Sequence, residues 1–155
     1  MLRDELVSKA KAVFLGVALG DALGATTEFM APHEIKAQYK IHKKIRGGGW
    51  LGLKPGHVTD DTEMSLAIAH SLVDAEGWDL KGIADNFLDW MRSKPIDIGS
   101  TVRKCIRTYM QQGTLAMPRN DWDAGNGAAM RMARVALFSL GDDQLLRRGQ
   151  LEQAS

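Results

Sequence analysis

A single cysteine among 155 residues, Cys105, rules out an internal disulfide framework and fits a reducing compartment. Set among Val102, Ile106, Tyr109 and Met110, it is expected to be a small core residue. Long hydrophobic runs are missing as well. The longest apolar stretch, Ala12 to Gly20, falls far short of the roughly 20 residues that span a bilayer, and Lys9, Lys11 and Asp21 close it off. Acidic Asp4 and Glu5 stand where a signal peptide would carry a basic start, so no leader is expected and the protein is placed in the cytoplasm. Charge of one sign is also lacking. Twenty basic residues against nineteen acidic give a net charge of +1, which argues for neither nucleic acid nor membrane as a partner. No internal repeat, low-complexity segment or sustained two-residue alternation between turn signals is visible, so no strand is predicted.

Several catalytic constellations are absent. His33-Glu34 opens like a zinc-protease motif, but the second histidine would have to stand at position 37, which is Ala37. There is no nucleophile elbow. The four histidines, His33, His42, His57 and His70, show no ligand spacing.

What the chain does have is helical periodicity. With 45% hydrophobic and 25% charged residues it has enough apolar material for one all-α domain over residues 1–155. Leu80, Ile83, Ala84, Phe87, Leu88 and Met91 recur at three- and four-residue steps, with Asp79 as N-cap and Pro95 beyond the end. Val102, Cys105, Ile106, Tyr109 and Met110 line a second helix, capped by Ser100 or Thr101 and stopped by Gly113. Ala129, Ala133, Ala136, Leu137 and Leu140 line a third, ending at Gly141. From Leu145 to Ser155 a further helix begins and simply ends, with no obvious partner for its apolar residues.

Two stretches are rich in glycine. Gly16, Gly20 and Gly24 fall four apart in the first helix, where each costs about 1 kcal/mol relative to alanine, so close approach by a neighbouring backbone is expected, with this helix at the centre of a bundle. Alternatively Gly24 merely ends the helix. Gly47-Gly48-Gly49-Trp50 lacks both the following helix and the lysine of a phosphate loop and reads as a flexible connector. Lys36, Lys40, Lys43, Lys44 and Arg46 form a basic stretch that reads as a solvated face.

The segment with the clearest chemistry is Thr59-Asp60-Asp61-Thr62-Glu63, at the mouth of the apolar run Met64 to Val73. One acid there is explained by capping, and Asp60 with Glu63 could form a capping box. Two carboxylates flanked by threonine hydroxyls exceed that need. Hard oxygens at this spacing suit Mg²⁺ or Mn²⁺.

Together with Gly20-Asp21-Ala22-Leu23-Gly24, Glu28-Phe29, Asp97-Ile98-Gly99 and Gly125-Asn126-Gly127-Ala128-Ala129-Met130-Arg131, this segment resembles the ADP-ribosylglycohydrolase family, from about Ala10 to Gly141. The resemblance implies an all-α, compact multi-helix bundle. It also implies a metal-dependent hydrolase that cleaves the N-glycosidic bond between ADP-ribose and an arginine of a modified protein. The branch it resembles most acts on nitrogenase iron protein, dinitrogenase reductase, which is therefore the expected partner. Two divalent ions, Mn²⁺ or Mg²⁺, are implied as cofactors, with Thr59, Asp60, Asp61 and Glu28 as ligands. Glu28 and Asp97 are implied as the catalytic acids, and Gly99, Ser100, Thr101, Asn126 and Gly127 as contacts to ADP-ribose. On the residues alone, Glu28 and Asp97 could equally serve turns, and Asn126-Gly127 could be an ordinary turn into the next helix.

Family members are considerably longer, and nothing after Gly127 matches the aspartate-rich metal motif of their second half. Asp142-Asp143, the only later acidic pair, reads as capping. The chain is thus expected to correspond to the N-terminal half of such an enzyme, as a truncated product or a fragment. The alternative function is a catalytically incomplete helical module with an interaction or regulatory role. A metal-dependent phosphohydrolase is a third reading.

Overall fold

The computed structural model describes residues 3–117 and 125–154, and they carry eight helices and no strand. The all-α expectation is met. The chain forms two compact units, Met1–Thr59 and Asp60–Ser155, so the boundary falls inside the Thr59-Asp60-Asp61 motif.

The first unit holds α1 (Arg3–Gly24) and α2 (Pro32–Tyr39). The glycine stripe of α1 does not mark close packing. A Cβ added at Gly16, Gly20 or Gly24 would meet nothing within 4 Å, and Leu15 and Leu19 are 62% and 57% exposed. The burial expected of α1 is confined to its C-terminal end, where Asp21 and Ala22 are enclosed together with Ala25 and Thr26 just beyond. Helix α2 was not legible from periodicity. Pro32 opens it, where a missing N–H costs nothing, and Glu34 Oε2 accepts from the Ala31 N–H at 2.7 Å. The basic stretch that follows is exposed, as expected, with the Arg46 guanidinium 5.8 Å from the centre of the Tyr39 ring.

The glycine-rich loop is no flexible connector. Gly47, Gly48 and Gly49 all hold positive φ, of 66°, 78° and 67°, and Gly48 bridges Leu53 through both backbone groups at 2.7 and 2.9 Å. The Thr26 hydroxyl donates to the Gly47 carbonyl at 3.0 Å. Gly49 lies so close to the turn after α1 that an added Cβ would stand 2.3 Å from the Ala25 carbonyl oxygen. Only glycine accommodates both that φ and that contact.

In the second unit, α3 (Asp60–Asp74), α4 (Leu80–Arg92) and α5 (Ser100–Gln112) enclose Met64, Ala67, Ile68, Leu72, Ile83, Phe87 and Ile106. The three- and four-residue apolar spacing is what places these side chains on one side of each helix, and burying each large one is worth about 1.5–3 kcal/mol. Asp79 caps α4 as predicted, accepting from the Lys81 N–H at 3.0 Å. Helix α5 differs. Its N-cap is Gly99, with Ser100 already helical, and neither Ser100 nor Thr101 caps it through a side chain. Cys105 is only part-buried, and Met110 is exposed.

The stretch expected as one helix from Ala129 is two, α6 (Gly127–Met130) and α7 (Met132–Phe138), broken at Arg131. The last helix, α8 (Asp143–Ala154), has partners, against expectation; Ser155 lies outside the described residues. Asp142 Oδ1 accepts from the N–H groups of Gln144 and Leu145, at 3.1 and 2.9 Å, which bears out its capping role. Gly149 seats α8 on Val135 and Trp78, and the Trp78 indole donates to Glu152.

Candidate functional site

Thr59 closes the first unit. Its N–H donates to Asp21 Oδ2 at 2.9 Å and its hydroxyl donates to Asp21 Oδ1 at 2.8 Å, and both residues are buried. The Asp21 carboxylate thus sets the direction in which the Thr59 hydroxyl points its proton. The sequence alone assigns Asp21 no role. The available signal was an acid placed between Gly20 and Ala22 at the end of an apolar helix, where nothing about a solvated face calls for charge.

Glu28 stands four residues past α1, exposed, and Oε2 accepts from the Trp50 indole N–H at 2.8 Å. Phe29 and Trp50 meet edge to face with ring centres 5.4 Å apart. Phe29 holds φ at 62°, which costs a bulky residue about 1–2 kcal/mol. The connector expected at Gly47–Trp50 gives no sign of this Trp50–Glu28 bond.

In the second unit Asp60 opens α3 and accepts at Oδ2 from the Gly99 N–H at 3.2 Å. That bond draws the start of α5 to the start of α3. Asp60 therefore does not form the expected capping box with Glu63, whose Oε2 accepts from the Trp90 indole at 2.6 Å and ties α3 to α4. Asp97 lies part-buried two residues before Gly99. Gly125 and Gly127 lie against the first turn of α5, where an added Cβ would stand 3.3 Å from Thr101 Oγ1 and 2.9 Å from Val102 Cγ2 respectively. Asp60, Gly99, Thr101 and the Gly125–Gly127 turn, scattered in sequence, are thus assembled at one place in this unit.

Arg131, the last residue of the glycine-asparagine-glycine motif, has structural work. Its Nε donates to Gln153 Oε1 at 2.7 Å and its terminal nitrogen to the Gln153 carbonyl at 3.0 Å, while the guanidinium lies 5.1 Å from the centre of the Phe87 ring. Burial pushes its pKa down to about 10, with Cys105 and Asp60 acting the other way, so it stays cationic at neutral pH.

Among the described residues no three His, Cys, Asp or Glu side chains converge to hold a metal ion. The donors of the motif, a threonine hydroxyl oriented by Asp21 and two adjacent carboxylates, are hard oxygens of the kind that suits a divalent cation.

The sequence matches the ADP-ribosylglycohydrolase family over residues 2–154. This chain belongs to that family. It is 52% identical over 146 residues to the ADP-ribosyl-[dinitrogen reductase] glycohydrolase of Rhodospirillum rubrum, a match covering 94% of this chain and 50% of that protein. It is 33% identical to the ADP-ribosylarginine hydrolase Tri1 of Serratia proteamaculans, over 87% of this chain and 38% of that one. A solved ADP-ribosylglycohydrolase-related protein complex includes a chain with the same fold, at a TM-score of 0.78 and 33% identity, over 97% of this chain and 50% of its counterpart. The chain thus spans about half the length, or less, of the relatives it matches. Among the described residues no helix is long and apolar enough to cross a membrane.

Proposed function

We propose that this chain carries catalytic acids for hydrolysis of the N-glycosidic bond between ADP-ribose and an arginine of a modified protein in the cytoplasm. The modified protein is dinitrogenase reductase, the substrate named for the Rhodospirillum rubrum relative. The observation that carries the reading is the fixed Thr59-Asp60 turn, in which Asp21 holds Thr59 and the Gly99 N–H holds Asp60. A mere capping turn would not need a buried acid behind its threonine.

Cleavage of this bond passes through a transition state with oxocarbenium character at the ribose. Thr59, Asp60, Asp61 and Glu28 would hold two divalent ions, Mn²⁺ or Mg²⁺, which when bound would polarise the ribose hydroxyls and acidify water. Asp21 orients the Thr59 hydroxyl by accepting its hydrogen bond. Glu28 accepts the proton of the attacking water, and Asp97 acts on the sugar as general acid or base. Gly99 and Gly127 would allow close backbone approach to the ADP-ribose, and Ser100, Thr101 and Asn126 would offer hydroxyl and amide donors.

The half-length match favours one second reading, in which the chain is a helical module that cannot turn over alone. The test is release of ADP-ribose from arginine-modified dinitrogenase reductase with Mn²⁺, by the chain alone and after adding the unmatched part of the Rhodospirillum rubrum relative. Release by the chain alone, or only after the addition, that is lost in Asp97→Asn supports catalysis. No release under either condition contradicts the catalytic reading and favours the module with an interaction or regulatory role.

A further inference from the structure

We propose that one face of α1, made by Ala12, Leu15, Leu19 and Leu23, is a docking surface for an apolar-faced segment equivalent to the half of the relatives that this chain does not match. The inference concerns assembly, goes beyond the reaction proposed above and does not depend on it.

From Ala12 to Gly20, about two and a half turns, α1 carries no polar side chain at all. Its charged residues Arg3, Asp4, Glu5, Lys9 and Lys11 all precede this stretch, and Asp21, which follows it, is buried. A helix that is apolar on every side is one that is enclosed on every side. Here only one side is partly covered. Ala10, Phe14 and Val17 are half-buried along it. Helical spacing puts Ala12, Leu15, Leu19 and Leu23 on the opposite side, where Leu15 and Leu19 are among the exposed large apolar residues of the chain. A Cβ added at Gly16 or Gly20, between these leucines, meets nothing within 4 Å, so no described residue packs there. Contiguous exposed apolar surface of this kind marks a place of association.

The occupant follows from length and from what the alternatives would leave undone. A bilayer is excluded for α1, because the uncharged stretch is far shorter than the roughly 20 residues that cross one. A second copy docking face to face through α1 would bury the same patch twice and no other. Exposed large apolar side chains also occur in the second unit, at Val73 and Leu140. The relatives carry about as much chain again beyond the part they share with this one, and the solved relative keeps the same fold over the shared part. A segment of that length is enough to cover apolar surface on more than one element.

The test uses the whole chain, co-expressed with the part of the Rhodospirillum rubrum relative that lies outside its match to this chain. Co-purification and sedimentation velocity are expected to show an equimolar complex. In a Cys105→Ser background, Leu19→Cys reports on the proposed face and Gln38→Cys, exposed on α2, serves as control. Maleimide labelling at Leu19→Cys is expected to slow roughly tenfold or more in the complex, with labelling at Gln38→Cys unchanged. Leu15→Lys with Leu19→Lys replaces side chains that are already exposed, so the helix content and unfolding midpoint of the chain alone should hold while the complex is lost. No complex, a complex in which Leu19→Cys labels as fast as in the chain alone, or one that survives the double variant overturns the proposal. A chain that dimerises by itself with Leu19→Cys protected also overturns it, in favour of a second copy. A complex that forms but releases no ADP-ribose contradicts the proposed reaction and leaves the docking face standing; release without any complex does the reverse.

Discussion

The Thr59 hydroxyl and the Thr59 N–H both donate to Asp21, at 2.8 Å to Oδ1 and 2.9 Å to Oδ2, across 38 residues of sequence. One buried carboxylate therefore sets the conformation of the residue that precedes the two acids of the motif. Asp21→Ala leaves two buried donors without their acceptor and is expected to cost roughly 2–4 kcal/mol in urea unfolding. Asp21→Asn keeps one acceptor oxygen and should cost less. Equal stability of all three proteins would contradict this account.

Gly49 sets where Trp50 sits. Gly49→Ala puts a Cβ 2.3 Å from the Ala25 carbonyl oxygen and should destabilise the chain by more than about 1 kcal/mol, with a change in Trp50 fluorescence. Gly48→Ala shares the positive φ but meets nothing within 4 Å, so its cost should be smaller. Thermal unfolding of the two variants side by side checks the order.

Helical glycines in this chain should respond with opposite signs. Gly149→Ala drives a methyl to 2.6 Å from Val135 Cγ1 and 3.1 Å from Trp78 and should weaken the seat of α8 by roughly 1–3 kcal/mol. Gly16→Ala and Gly20→Ala enter open space and should each stabilise by up to about 1 kcal/mol. Loss of stability in the α1 variants would show that the glycine stripe is covered after all.

What the sequence made legible follows from which forces act locally. The apolar spacing of Ile83 and Phe87, the cap at Asp79 and the stop at Gly113 were readable because each depends on neighbours a few residues away. The pairings Asp21 with Thr59, Trp50 with Glu28, and Gly99 with Asp60 were not, because they join residues 38, 22 and 39 positions apart through one or two polar atoms. The glycine loop misled for a related reason. Positive φ at Gly47 and Gly49 looks like freedom in the sequence and is a requirement of close contact in the fold. Helix α8 lacked an apparent partner because Trp78, Val135 and Arg131 reach it from three separate segments.

The surface cluster on α4 and α5 gives a pH prediction. The Lys81 ammonium at 2.7 Å and the Tyr109 hydroxyl at 2.6 Å hold Asp85 below the usual carboxylate range. A carboxylate whose folded pKa lies below its unfolded one adds stability above the unfolded value, and that stability is lost as pH falls through the folded value. Asp85→Asn should therefore cost less than about 1 kcal/mol at neutral pH, since the pair is half exposed, and nothing once the acid is protonated in both states. Urea midpoints of the two proteins at neutral and acid pH should converge on acidification; a constant gap would contradict the assignment.

The central claim is that the Thr59-Asp60-Asp61 turn is a metal-binding turn and more than a helix cap. Mn²⁺ titration calorimetry on the purified chain and on the Asp60→Ala, Asp61→Ala double variant tests it most directly. Saturable binding by the chain that disappears in the variant is the predicted result. A well-folded chain that takes up no Mn²⁺, or a variant that binds it equally well, would contradict the claim.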